Sequence, residues 1–150
     1  MNTTVPGKDS DGFSLIELIM VISIIGIIAV YTTSRLNLDT FRQAGFSQQA
    51  KAAIRYAQKL ALATGCDVSV SITATGCSLS WSGGTCPAAS INRPGSTSGN
   101  FCADGTPAST TDLPVSFSFD KIGRPSGNQS IDLGNVTIVV EEETGYTHEF

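Results

Sequence analysis

Histidine is almost missing from this chain: His148 is the single one in 150 residues. It lies near the end beside Glu149, with no other imidazole to share a ligand set, and reads as an exposed tail residue. Tryptophan is also single (Trp81), and charged residues make up only 15%, against roughly 25% in an average soluble domain. No two cysteines have the C-x-x-C spacing of a zinc or dithiol redox site. No glycine-rich loop follows a strand and opens a helix, so nucleotide binding has no support. Positive charge is short as well. Nine Lys and Arg stand against 13 Asp and Glu, a net charge of −4, the wrong sign for coating nucleic acid. These shortages leave no expectation of a catalytic residue, a metal or a cofactor. An enzyme is not expected.

Apolar sequence, by contrast, is plentiful and concentrated. Hydrophobic residues reach 41%, which excludes disorder. From Phe13 to Val30 only Ser14, Glu17, Ser23 and Gly26 interrupt the apolar run. Extended to Tyr31, that run makes a helix of about 28 Å at 1.5 Å per residue, close to a bilayer core of roughly 30 Å. A cleaved secretory signal fits poorly, because Lys8 is offset by Asp9 and Asp11, and Tyr31–Ser34 is no small-residue cleavage site. A buried core helix fits less well, since nothing else in the chain is apolar enough to wrap it. A membrane anchor fits.

Glu17 is the oddity in that anchor. A carboxylate there costs on the order of 2–3 kcal/mol near the bilayer centre and less near its edge. Ser14 and Glu17 have capping-box spacing, which offers a local explanation. The other explanation is an intermolecular cation, such as the α-amino group released by a cut between Gly12 and Phe13. Both readings can hold at once.

At these residues the sequence resembles the type IV pilin and type II secretion pseudopilin family: Gly12, then Phe13-Ser14-Leu15-Ile16-Glu17, then a long apolar helix. The resemblance implies cleavage after Gly12 by prepilin peptidase, N-methylation of Phe13, and a Glu17 carboxylate that pairs with the Phe13 amine of a neighbouring subunit. It also implies an inner-membrane pilus assembly platform and other pilin subunits as partners. Family leaders are usually basic, and Asp9 and Asp11 depart from that pattern.

Past the anchor, Phe46, Ala50, Ala53, Ile54, Ala57, Leu60 and Ala61 recur at helical spacing, with Arg42, Lys51, Arg55 and Lys59 off the stripe. Thr64-Gly65 is the expected stop. One long helix, about Phe13 to Ala63, is expected, with Gly26 and the stretch 32–40 as places to bend. The period then becomes two. Val68, Val70 and Ile72 alternate with Ser and Thr, as do Cys77, Leu79 and Trp81 with Ser, around a hairpin turn at Thr73–Gly76. Val115, Phe117 and Phe119 form a third strand, Asp120–Pro125 a turn, and 131–133 and 136–140 further strands. Ser82–Pro114 reads as a long loop. Glu141–Glu143 reads as a solvated strand end, Trp81 as a core aromatic opposite Val68, and Arg124 as either a turn residue or a partner contact.

The expected fold is α+β, a long N-terminal helix packed on an antiparallel sheet. Its parts are a leader 1–12, a transmembrane helix 13–31, an amphipathic helix 32–64 and a periplasmic head 65–150 with the loop 82–114. This is the architecture of the resembled family. Phe119–Gly127 is similar to the FD-x-x-GRP-x-G hairpin of minor pilins and pseudopilins of the GspH/FimT type. Ala53–Ala61 and Glu143–His148 look like the minor pilins of mannose-sensitive haemagglutinin pili. The implied role is a minor pilin in assembly priming or near the fibre tip, supporting adhesion. The alternatives are a secretion pseudopilin and, third, a DNA-uptake pilin. Without the leader, eight basic and 11 acidic residues leave a net charge of −3, so no nucleic-acid partner is expected.

Cys66, Cys77, Cys86 and Cys102 all follow the anchor, on the oxidising side if the leader is cytoplasmic. A turn at Ala74-Thr75 sets Ile72 opposite Cys77 and Cys66 opposite Gly83. Cys66 and Cys77 then lie near 20 Å apart along the ribbon at roughly 3.3 Å per residue, beyond the roughly 7 Å a bridge allows. The expected pairs are Cys66–Cys86 and Cys77–Cys102.

Overall fold

The computed structural model describes residues 13–33, 38–83, 86, 89–102, 105–107 and 111–150. It divides into two compact units, 1–37 and 38–150. In the first, α1 spans Leu15–Thr33. In the second, α2 spans Leu38–Thr64. The single long helix expected across 13–63 is thus described as two helices, and 34–37 lies outside the described residues.

Helix α1 is 19 residues long and apolar all round. Its large apolar side chains are all exposed, from 44% at Val21 to 76% at Val30. Among the described residues no helix is long and apolar enough to cross a membrane.

Helix α2 carries the core of the second unit. Phe46, Ala50, Ala53, Ile54, Ala57 and Ala61 are buried along one face, with Leu60 half-buried beside them. Ser47 is buried there too, its hydroxyl turned back to the carbonyls of Gln43 and Ala44 at 3.2 and 3.1 Å. Four alanines let the helix lie close on the sheets. Gly65, at φ 69°, ends it by donating to the Ala61 carbonyl at 2.9 Å.

Strands β1 (Asp67–Thr73) and β2 (Gly76–Gly83) form the expected hairpin, with Ile72 opposite Cys77 and Val68 opposite Trp81. A bulge between Asp67 and Val68 sets Asp67, rather than Cys66, opposite Gly83. β4 (Val115–Phe119) pairs with β1 on its other side, and β3 (Ser90–Ile91) pairs with β2. The first sheet is therefore β3-β2-β1-β4. β3 lies inside the segment expected to be loop. A two-residue strand has too little alternation to be read from sequence.

A second sheet, β5-β6-β7, corrects the single-sheet expectation. It consists of Gln129–Asp132, Thr137–Val140 and Thr147–Glu149, all antiparallel. Past β4 the chain turns at Asp120–Pro125, and Gly127 sits at φ 137° before β5 begins. One bridge, Phe119 to Pro125, is all that continues the pairing there. β7 replaces the expected tail, and Glu141–Thr144 is a turn rather than a strand end. Helix α2 packs against β1, β2, β4 and β7, so one apolar face serves both sheets.

Candidate functional site

The junction predicted to be cut lies at the edge of the described chain. Gly12 and the leader are outside it, and Phe13 is 82% exposed ahead of α1. The Ser14 carbonyl closes the first turn by accepting from the Glu17 and Leu18 amides at 3.0 and 3.2 Å. Among the described residues neither the Ser14 hydroxyl nor the Glu17 carboxylate takes part in a capping box. The backbone alone does the work that reading assigned to side chains. Glu17 is exposed, and among the described residues its carboxylate has no partner. Farther along, the Ser23 hydroxyl bonds to the Ile19 carbonyl at 2.7 Å, which hides its polarity within the helix. Nothing lies within 4 Å of where a Gly26 side chain would be. α1 therefore presents an apolar cylinder marked by one uncommitted carboxylate in its first turn.

The second unit is stapled. Cys66 is bonded to Cys86 with Cα atoms 6.1 Å apart, and Cys77 to Cys102 at 5.1 Å. They close loops of sequence separation 20 and 25, each stabilising the fold by about 3 kcal/mol on a chain-entropy estimate. Asn100 completes the second staple: its Oδ1 accepts from the amides of Cys77 and Cys102. Sequence reasoning missed Asn100, and nothing in the Gly99–Phe101 string signals it.

The string Phe119–Gly127 has a local physical account. Phe119 is fully buried, and Asp120 Oδ1 accepts from the amides of Ile122 and Arg124 at 3.0 and 2.8 Å. Gly123, at φ 78°, donates to the Asp120 carbonyl. Gln58, another residue missed in the sequence, donates from α2 to the carbonyls of Gly123 and Thr144. The Arg124 side chain is exposed and has no ion-pair partner among the described residues.

The other singled-out residues fall as follows. Trp81 is half-buried against the core. His148 is not a free tail residue: it lies on β7, with Tyr146 stacked on it at 5.5 Å and Phe150 edge-on at 4.9 Å. Its Nδ1 is buried without a hydrogen bond, 3.9 Å from Glu141 Oε1. β7 is held on its other side by α2, where Arg55 donates to the Thr147 carbonyl and Lys51 pairs with Glu149 at 3.1 Å. Glu142 and Glu143 are exposed in the turn. Among the described residues no cluster of His, Cys, Asp and Glu could hold a metal.

The described chain thus consists of an exposed apolar helix and a disulfide-stapled α+β unit. Residues 7–32 match the family model described as the prokaryotic N-terminal methylation motif. This is a type IV pilin-like prepilin signal, and it indicates a type IV pilin or pseudopilin that prepilin peptidase processes and that assembles with other pilin subunits. The match covers the Gly12–Phe13 junction and Glu17 and ends within α1. No curated protein and no solved structure matches the chain.

Proposed function

We propose that the protein is a minor pilin, held in the bacterial inner membrane by its apolar helix and assembled after processing into a type IV pilus of the mannose-sensitive haemagglutinin kind. The observation that carries this reading is α1, whose large apolar side chains are exposed around a Glu17 that has no partner among the described residues. A helix of 19 residues is about 28 Å long, a bilayer's thickness, and only lipid or other apolar helices can cover such a surface. Prepilin peptidase cuts after Gly12 and Phe13 is N-methylated. Glu17 then meets the Phe13 amine of a neighbour, which sets axial register in an apolar bundle where an unpaired charge is costly. The two disulfides support a periplasmic second unit, since such bridges persist in oxidising compartments. The resemblance of Phe119–Gly127 and Glu143–His148 to minor pilins supports the finer assignment.

Mass spectrometry of sheared surface filaments tests the reading. The expected result is a chain beginning at methylated Phe13. A chain cut at Phe13 but confined to the envelope moves the assignment to a secretion pseudopilin. A membrane protein that still begins at Met1 overturns processing altogether.

A further inference from the structure

Of the six asparagines in the chain, three open an Asn-x-Ser/Thr triplet: Asn2-Thr3-Thr4, Asn128-Gln129-Ser130 and Asn135-Val136-Thr137. Such a triplet is the acceptor signal for N-linked sugar, which needs the asparagine amide and the hydroxyl two residues on. Asn37, Asn92 and Asn100 have Asp39, Pro94 and Cys102 at that place. The first triplet belongs to the leader. The other two stand at the two ends of β5.

Asn128 is exposed just ahead of β5, after Gly127 at φ 137°. β5 is the outer strand of its sheet, paired with β6 alone, and the exposed Ser130 alternates with the buried Ile131. An edge strand of this kind can be drawn into an enzyme's active site by opening one ladder. Asn135 is exposed in a two-residue turn. The Leu133 amide closes that turn on the Val136 carbonyl at 3.0 Å, and Gly134, at φ 84°, donates to Asp132 Oδ1 at 2.7 Å. Among the described residues no hydrogen bond engages the side chains of Asn128, Ser130, Asn135 or Thr137. Asn100 differs in this respect, since its amide group is committed to Cys77, Cys102 and Thr75.

Phe150 supplies a second indication. It exchanges both backbone hydrogen bonds with Thr137, at 3.2 and 3.0 Å, which puts the two side chains on one face of the sheet. Ile131, Ile138 and Val140 point into the core, so Ser130, Thr137 and Val139 alternate onto the opposite, outer face. There the Phe150 ring is 82% exposed, with His148 edge-on at 4.9 Å. A pyranose ring has a C–H face that buries apolar area when it lies on an aromatic ring. A sugar on Asn135 starts two residues from Thr137, beside this one.

We infer that Asn128 and Asn135 are acceptors of N-linked sugar. The inference rests on the periplasmic reading of the second unit, where a membrane-bound transferase meets a sugar carried on a lipid pyrophosphate. The asparagine amide nitrogen bonds to C1 of the sugar, and the bond from C1 to the pyrophosphate oxygen breaks. The leaving pyrophosphate keeps the electron pair, and the amide nitrogen gives one proton to a base of the transferase. Nothing is oxidised or reduced.

The test uses the full chain purified from the envelope of its native cells. Its intact mass is measured, and the 122–141 peptide, released by cleavage after Lys121 and Glu141, is read by electron-transfer fragmentation. The expected mass exceeds that of the bare polypeptide by two sugar chains, one on Asn128 and one on Asn135. Asn128→Gln and Asn135→Gln are each expected to remove one of them. Ser130→Ala and Thr137→Ala are expected to do the same with the asparagine intact, as the triplet rule requires. Alkylation before reduction checks that both disulfides form in every variant. An oxidised chain of bare mass would overturn the inference and leave the periplasmic reading standing. Sugar on serine or threonine, or sugar that survives the asparagine substitutions, would overturn it as well. A sugar on one asparagine alone overturns the assignment of the other. A chain with reduced cysteines overturns the periplasmic reading and this inference with it.

Discussion

Asn100 and Cys77 are tied across 23 residues of chain: the Asn100 Oδ1 accepts from the Cys77 amide at 3.1 Å. The same oxygen accepts from Cys102 at 3.0 Å, and Phe101 donates to the Cys77 carbonyl at 2.8 Å. The disulfide thus joins two backbone segments that hydrogen bonds already hold together. Gly76 lies so close that a side chain there would run into the Asn100 amide.

Asn100→Ala leaves two amides without their acceptor and is expected to destabilise the second unit by about 1–3 kcal/mol. Gly76→Ala is expected to act through the same contact by displacing Asn100, so the double variant should lose less than the sum. Thermal melts followed through Trp81, the sole tryptophan, would measure all three. Strict additivity would show that Gly76 and Asn100 act separately.

Gln58 couples two turns that are far apart in sequence, with bonds of 3.1 Å to Gly123 O and 2.8 Å to Thr144 O. Gln58→Ala is expected to cost about 1–2 kcal/mol and to speed amide exchange around both turns. Gly145→Ala should be worse, because it strains a φ of 65° and thrusts a methyl toward Gln58 and the Gly123 carbonyl. Faster exchange at only one turn would mean that Gln58 does not link them.

Ala57 is fully buried where α2 meets the sheets. Ala57→Leu adds three carbons to a packed contact and is expected to destabilise by about 1–3 kcal/mol. Leu62→Ala, at a side chain 54% exposed, should change far less. Comparable losses from the two would show that the face assigned to α2 is misplaced.

Most of this fold was legible wherever burial imposes a period. The alternation of Val68, Val70 and Ile72 gave β1, and the alanine stripe gave the packed face of α2, because a buried face repeats with its element. The turn residues 73–76 set the register through Ile72 and Cys77. What stayed hidden has no period. β3 is two residues long, β7 is three, and nothing in the alternation of β4, β5 and β6 marks which of them share a sheet. Asn100 and Gln58 matter through partners from 2 to 86 residues away. At α1 the reverse holds: the motif is plain in the sequence, and the structure adds that the Ser14–Glu17 turn closes through backbone alone.

That last point separates two roles for Glu17. Were its carboxylate a cap, Glu17→Ala would loosen the start of α1, but the turn closes through the Ser14 carbonyl without it. Removing the charge also removes an insertion penalty of about 2–3 kcal/mol at most. Glu17→Ala is therefore expected to reach the membrane at the wild-type level or above. Under the proposed assembly it deprives a neighbouring Phe13 amine of its counterion in an apolar bundle, where the stranded charge costs about 3–5 kcal/mol. Entry into filaments should fall by more than a hundredfold, while Glu17→Asp, with the charge kept on a shorter arm, retains part of it. Immunoblots of sheared filaments against the membrane fraction measure both quantities together. A Glu17→Ala chain present in fibres at wild-type level would mean that the carboxylate has no partner to lose.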